Sequence, residues 1–165
     1  MGLKASAKGV YKEGKYITYT LDIKNYEKQA IPDGLFEISV PDGIGPIGKT
    51  LKFNIKKQQA SPVIDDFGIA WEVFIPRRKS GKLTVKLSVD DVDPPAEITG
   101  TFYPYGALGY LACAVDTVIT LNEYKKPSKG STDPILPKKD NPEYYRKLGG
   151  EGEQVWESEG KPVEN

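Results

Sequence analysis

Histidine is absent from the 165 residues of this chain. Imidazole is the side chain best suited to proton transfer near neutral pH, and it is the commonest nitrogen ligand of zinc, copper and iron. Its absence removes the residue on which most catalytic triads and most transition-metal sites depend. The composition therefore predicts a protein that is not an enzyme and that carries no cofactor.

Cysteine is almost absent as well, because Cys113 is the only one in the chain. A single thiol excludes an internal disulfide and a metal site built from several cysteines. Residues 111–115 read LACAV, and a thiol in such an apolar run is expected to be buried and inert.

Net charge is also missing, since 23 basic residues balance 23 acidic ones. A chain without net charge exerts no overall field on nucleic acid or on an anionic membrane surface. No apolar stretch approaches the length of a membrane span. We therefore expect neither nucleic acid nor membrane as a partner.

What the chain does contain is a repeated alternation of apolar and polar residues. Ile17, Tyr19, Leu21 and Ile23 fall on one face of an extended segment, and the polar residues between them fall on the other. The alternation recurs, and turn-forming Gly and Pro residues separate the segments. The pattern predicts an Ig-like antiparallel β-sandwich of Greek-key type with Trp71 at the centre of its core, and strands near residues 5–12, 15–25, 34–40, 49–57, 69–75, 81–90, 97–103 and 109–122.

The character of the sequence changes after residue 124, where prolines and charges become frequent. We expect residues 1–124 to form the sandwich domain and residues 125–165 to form an extended, irregular C-terminal arm, basic first and acidic later. Its large side chains, Tyr144, Tyr145, Val155 and Trp156, would then contact a neighbouring subunit. Deleting residues 125–165 should leave the melting temperature of the sandwich nearly unchanged.

Residues 43–50, GIGPIGKT, match the phosphate-binding loop pattern G-x-x-x-x-G-K-T. A functional loop of this kind needs a helix directly after Lys49, whose N-terminal amides meet the phosphates. The following residues instead alternate as Leu51, Phe53 and Ile55, which is the period of a strand. The pattern predicts a glycine-rich interstrand loop in which Lys49 holds no phosphate, and nucleotide binding remains the disfavoured alternative.

A second group of candidate residues is acidic: Asp90, Asp91, Asp93 and Glu97. Carboxylates from loops are the ligands that calcium prefers, and a pair of them is also the equipment of a glycosidase. Turn-forming aspartates before Pro94 are the more ordinary interpretation, because no EF-hand-type loop is present. No metal is predicted, and a calcium site at these aspartates stays open as the lesser alternative.

Tyr103, Tyr105 and Tyr110 surround Pro104 and Gly106 in what the sequence indicates is an exposed loop. Tyrosines in such a loop either serve as contact anchors for a partner or cap the end of the core, and both alternatives stay open. The residues predicted to bind a partner are Tyr103, Tyr105, Tyr110, Tyr144, Tyr145 and Trp156.

Residues 16–25, followed by VPDG at 40–43, resemble the opening of the conserved-repeat Ig-like domains of bacterial and archaeal surface proteins. Trp71 and residues 80–87 resemble the later strands of that family, so the likeness covers about residues 16–121. The resemblance implies a non-enzymatic stalk, adhesion or decoration module and supplies no catalytic residue.

Ig-like sandwiches are also displayed on virus particles, which leads to the main functional prediction. The chain is expected to be a structural or decoration protein on the outer surface of a virion, present in multiple copies or as a homo-oligomer. Its termini would dock on capsid or tail subunits. The alternative is an adhesion or carbohydrate-binding module at a cell surface or in the extracellular space.

Overall fold

The structure is a computed structural model that describes residues 2–12, 16–90, 92, 95–107, 113–121 and 154–163. Within these ranges every regular element is a strand, and no helix there is suited to crossing a membrane. The strands are β1 (Leu3–Lys12), β2 (Tyr16–Asn25), β3 (Ile31–Ser39), β4 (Ile44–Phe53), β5 (Val63–Asp65), β6 (Gly68–Ile75), β7 (Ser80–Val89), β8 (Ala96–Tyr105), β9 (Val115–Leu121), β10 (Gln154–Glu159) and β11 (Lys161–Pro162).

The strands form two antiparallel sheets that pack face to face. Sheet A has the order β10-β1-β2-β7-β4, and sheet B has the order β11-β9-β8-β3-β6-β5. Neighbours such as β2 and β7, or β3 and β8, are distant in sequence, so the chain crosses repeatedly between the sheets. The predicted class, an all-β Ig-like sandwich with crossover connections, is confirmed.

The core lies between the sheets and is built by the alternation seen in the sequence. Ile17, Tyr19, Leu21 and Ile23 of β2 are each fully buried, while the residues between them face outward. Sheet B contributes large inward side chains on neighbouring strands, and its Phe36 contacts a second ring, that of Phe102, at a centroid distance of 5.0 Å. Because successive side chains of a strand point to opposite faces, one alternating pattern supplies both the core and the solvent surface.

Trp71 is not at the centre of this core, contrary to the sequence-based prediction. Its ring is only half-buried and contacts Phe53 at 5.6 Å, and its indole N–H donates to the carbonyl of Ala60 at 2.9 Å. The flanking strand β5 has only three residues, so it cannot cover β6 along its full length. The irregular segment before β5 covers Trp71 instead, which places this side chain at the margin.

The end of the chain also differs from the prediction. Residues 154–162, here called the C-terminal strap, form β10 on the edge of sheet A and β11 on the edge of sheet B. Trp156 lies opposite Gly9 of β1 and is 7% exposed, so it belongs to the core of its own chain. The amide of Gly160 donates to the carbonyl of Ala5 at 2.7 Å between the two strands.

The strap thus corrects the expectation that the whole of residues 125–165 is irregular. Backbone hydrogen bonds to β1 and burial of an indole supply the stabilisation that such a polar segment lacks by itself. The predicted boundary at residues 124 and 125, and the rest of the predicted arm up to residue 153, lie outside the described residues.

Charge is distributed unequally between the two sheets. Strands β1, β2, β4 and β7 contain eight lysines and one acidic residue, Asp22. Strands β3, β5, β6, β8 and β9 contain no lysine or arginine but carry six acidic residues, Asp33, Glu37, Asp65, Glu72, Glu97 and Asp116. The zero net charge of the chain therefore conceals two oppositely charged sides of the sandwich.

Candidate functional site

The outer surface of sheet B is the candidate site, and we call it the acidic face. On β3, β6, β8 and β9 the inward positions are buried, and the positions between them form this surface. Its side chains combine carboxylates with apolar and aromatic groups: Asp33, Leu35, Glu37, Glu72, Phe74, Glu97, Tyr103, Tyr105, Asp116 and Val118. One lysine, Lys161 of β11, lies at the edge of this surface opposite Asp116.

Two of the predicted partner-binding tyrosines lie on this face. Tyr103 and Tyr105 are alternate residues of β8, and their rings stack at a centroid distance of 5.5 Å with an angle of 6° between planes. Tyr105 is 54% exposed. The pair therefore presents an aromatic surface to solvent and does not cap the end of the core.

The predicted loop around these tyrosines is instead the last part of strand β8. Pro104 and Tyr105 pair with Gly34 and Asp33 of β3, and the turn begins only at Gly106. Strand β9 pairs with β8 only as far as Phe102, so among the described strands one edge of β8 has no partner at Pro104. A proline is tolerated in a strand at such an edge because no ladder hydrogen bond is lost there.

Tyr103 is connected to the acidic residues through Glu37. Partial burial raises the pKa of the Tyr103 phenol, and the negative charge of Glu37 and a hydrogen bond to its carboxylate raise that pKa further. The phenol therefore remains a hydrogen-bond donor at neutral pH, and Glu37 holds its ring in a defined position beside Tyr105.

A second polar contact lies farther across the face. The hydroxyl of Thr101 donates to the carboxylate of Asp116 at 2.7 Å, and Thr101 is 8% exposed. In the register of the sheet, Ala70, Glu37, Thr101 and Asp116 form one row across β6, β3, β8 and β9. Three strand spacings make this row about 14 Å long.

Exposed apolar side chains are concentrated on the same side of the molecule. Val63, Phe74, Tyr105 and Val118 all lie on sheet B with large exposed fractions, and Phe67 lies in the turn between β5 and β6. Exposed apolar groups that cluster beside charges are typical of a binding surface. In the described part of sheet A only Val155, on the strap, is comparable.

A shallow groove borders the acidic face at β6. It has a volume of about 340 Å³ and lies between residues 57–60 and the side chains of Asp33, Glu72 and Phe74. The amide group of Gln58 occupies the edge of β6: it accepts from the Phe74 amide at 2.7 Å and donates to the Phe74 carbonyl at 3.1 Å. This edge is therefore closed to a further strand, and the groove extends the face sideways.

Contrary to the expectation of an interstrand loop, residues 44–50 of the phosphate-loop pattern form strand. Ile44–Phe53 is β4, and its register against β7 shifts between Ile47 and Lys52. The hydroxyl of Thr50 stabilises this irregularity by donating to the Ile47 carbonyl at 2.6 Å and accepting from the Lys86 amide at 2.9 Å. No helix N-terminus follows Lys49, which is exposed.

The acidic residues considered for calcium are only partly described. Asp90 is exposed at the end of β7, and Glu97 lies on the acidic face, whereas Asp91 and Asp93 are outside the described residues. Among the residues that the structure does describe, no three acidic, cysteine or histidine side chains are grouped closely enough to hold a metal ion.

The remaining sequence-based candidates add no described side chain to the acidic face. Trp156 is a core residue, and Tyr110, Tyr144 and Tyr145 lie outside the described residues. Cys113 was expected to be buried but is exposed. It lies just before β9, beside Val163, whose amide donates to the Ala114 carbonyl at 2.9 Å, and the apolar character of its sequence neighbours does not decide its burial.

Comparison with known proteins gives limited similarity. No family model matches this sequence, and no curated protein does. Among solved structures, the chain is similar to the Corynebacterium diphtheriae major pilin SpaA, with a TM-score of 0.48 and 10% identity over 72% of this chain and 39% of the pilin chain. It is also similar to the collagen-binding domain of a Staphylococcus aureus adhesin, with a TM-score of 0.43 and 13% identity over 63% of this chain and 87% of that domain.

Sequence reasoning found Tyr103 and Tyr105 but missed the carboxylates and Phe74 that accompany them. A signal was present, because the segments that became β3, β6, β8 and β9 contain no basic residue. These segments are scattered along the chain between lysine-rich ones. Only the pairing of strands brings them into one sheet.

Proposed function

We propose that this chain is a non-enzymatic adhesion module of a cell surface that binds a basic segment of a partner protein through the acidic face. The observation that carries the proposal is the composition of sheet B, where six carboxylates and no basic residue of β3, β5, β6, β8 and β9 accompany exposed aromatic side chains. Carboxylates steer a basic partner and select against acidic ones, and aromatic rings supply contact area.

The shape of the face favours a protein partner. The row from Ala70 to Asp116 crosses four strands of an open sheet over about 14 Å, and the neighbouring groove is shallow. Small ligands prefer concave sites that enclose most of their surface. A protein segment that lies across the strands can reach Glu37, Tyr105 and Asp116 together.

The cell-surface setting follows the non-enzymatic adhesion role implied by the resemblance to conserved-repeat Ig-like domains. A virion was the first expectation from the sequence, but no feature of the described residues is specific to a capsid or tail partner. The acidic face serves adhesion directly, because it lies on the rigid sheet and needs no rearrangement to bind.

The test uses matched probes of opposite charge. The full chain is immobilised and titrated, by surface plasmon resonance, with a short peptide of alternating lysine and threonine, with its glutamate–threonine counterpart and with a neutral oligosaccharide. We expect binding of the lysine peptide alone. Tyr105→Ala, and Glu37→Gln combined with Glu72→Gln, should each weaken that binding about tenfold, which is the size expected for a central contact residue.

Asp42→Asn combined with Asp90→Asn removes the same number of exposed negative charges outside the acidic face and is the matched control. Equal binding of the lysine and glutamate peptides would contradict the proposal. So would binding of the oligosaccharide alone, which would assign the face to carbohydrate recognition, or an equal loss of affinity in the control variant.

A further inference from the structure

The outer surface of sheet A carries a charge pattern opposite to that of the acidic face, and we call it the basic face. It is formed by outward lysines on four neighbouring strands: Lys4, Lys8, Lys24, Lys52, Lys82 and Lys86. Only Asp22 of β2 and the strap residues Glu157 and Glu159 interrupt it, and Glu157 pairs with Lys8 at 3.9 Å. One molecule therefore presents a basic surface and an acidic surface on opposite sides.

From this arrangement we infer that copies of this chain stack, with the acidic face of one copy against the basic face of the next. The inference rests on the proposed function, because it names a partner for the acidic face. Contact between two acidic faces or between two basic faces would place like charges together, so a symmetric dimer through these surfaces is disfavoured. A contact between unlike faces leaves one free face of each kind, so it can repeat in an open stack.

The spacing of the charges suits such a contact. Both surfaces are antiparallel sheets, in which outward residues of one strand recur about every 6.8 Å and neighbouring strands lie about 4.8 Å apart. Lys24 on β2 and Lys82 on β7 lie on neighbouring strands with an offset of two residues, and Glu37 on β3 and Glu72 on β6 have the same offset. The two lysines can therefore face the two glutamates.

The apolar groups of the acidic face have partners in the same contact. The exposed ring of Tyr105 and that of Phe74 can pack on the aliphatic parts of lysine side chains and can receive their ammonium groups. The basic face already shows this geometry internally, since the Lys86 ammonium lies 4.5 Å from the centre of the Tyr16 ring.

The size of the faces predicts a weak and salt-sensitive contact. Four strand spacings by about eight residues cover roughly 400 to 500 Å² per copy. This corresponds to about 1,000 Å² in total, which is at the lower end for specific interfaces. Self-association should therefore be reversible and should depend on protein concentration.

Sedimentation velocity of the full chain tests the inference. At about 0.01 M ionic strength, where charges act over about 30 Å, the weight-average mass should rise above the 18.2 kDa monomer as concentration increases. At about 1 M, where the range is about 3 Å, the rise should disappear. A mass that stays at the monomer value at low ionic strength would overturn the inference.

Charge reversal locates the contact. Glu37→Lys with Glu72→Lys should abolish self-association, and so should Lys24→Glu with Lys82→Glu. A mixture of the two variants should associate again, because each supplies the face that the other lacks. Lys56→Glu with Arg77→Glu reverses two exposed charges outside the strands and should associate like the parent chain. Failure of the mixture to associate, or an equal loss in the control, would refute the stack.

Cross-linking of the unmodified chain makes the result independent of whether the variants fold. A mixture of copies with light and heavy isotopes is treated with a carbodiimide, which joins lysines to carboxylates in contact. Inter-copy links should connect lysines of β2 or β7 to acids of β3 or β6, and links confined to other regions would contradict the inference. If the lysine peptide binds but the chain stays monomeric, the stack fails while the proposed function stands.

Discussion

Replacing Trp156 with alanine should destabilise the whole sandwich, although this residue lies near the end of the chain. Its side chain is 7% exposed and packs over Gly9 of β1. Burial of an indole removes about 200 Å² of surface from water, which corresponds to an upper estimate of about 5 kcal/mol. Measured tryptophan-to-alanine losses in protein cores are about 3 to 5 kcal/mol.

This loss is a large part of the total free energy of unfolding of a domain, which is about 5 to 15 kcal/mol. For a chain of this length the melting temperature should fall by about 6 to 20 °C, at about 2 to 4 °C per kcal/mol. Thermal unfolding followed by circular dichroism, together with urea unfolding, measures both quantities. The matched control is Val155→Ala in the same strand, which changes a 47% exposed side chain and should cost about 0.5 kcal/mol or less.

A melting temperature of the Trp156→Ala variant within about 2 °C of the parent would refute this reasoning. So would an equal loss from the Val155 control, which would indicate that strand pairing rather than the buried ring is responsible. The same argument reverses the sequence-based expectation for deletion of residues 125–165. That truncation removes β10 and β11 from both sheets, so it should lower the melting temperature by at least as much as Trp156→Ala.

Four further predictions concern single side chains. Thr50→Val should cost about 1 to 3 kcal/mol in urea unfolding, because the hydroxyl serves two backbone groups. Lys49→Ala should cost less than about 0.5 kcal/mol, and titration calorimetry with ATP and magnesium should show no heat for the parent chain or for this variant. ATP binding by the parent chain that is lost in the variant would contradict the strand assignment. Burial raises the pKa of the Tyr19 phenol above its usual value of 10.0, so the free energy of unfolding should fall as pH rises above about 10. Tyr19→Phe should flatten this fall between about pH 9 and 11.5, and equal slopes of unfolding free energy against pH in the two proteins would contradict the raised pKa. Arg78 has a φ of 56°, so Arg78→Gly should stabilise the turn by up to about 1 kcal/mol in thermal unfolding, whereas Arg77→Gly should not.

The sequence by itself determined the fold class because strand alternation is a local property. In β2 the period of two assigns every core residue correctly, and all four predicted positions are fully buried. The strand period after Lys49 likewise indicated that no helix follows the phosphate-loop pattern, although residues 44–48, expected in a loop, belong to β4. These conclusions need only the rule that successive side chains of a strand point to opposite faces.

Other features depend on contacts between distant parts of the chain, and these the tertiary structure decided. The strap is polar and follows a proline-rich segment, so its own sequence predicts no stable strand. Hydrogen bonds to β1 and the packing of Trp156 over Gly9 hold it in place. Trp71 occupies an apolar position of the alternating pattern in β6, but the short β5 leaves its side chain at the margin of the core. The acidic face arises because strand pairing gathers segments without lysine into one sheet. A local pattern states which face a residue occupies, whereas only the pairing of strands states which residues share that face.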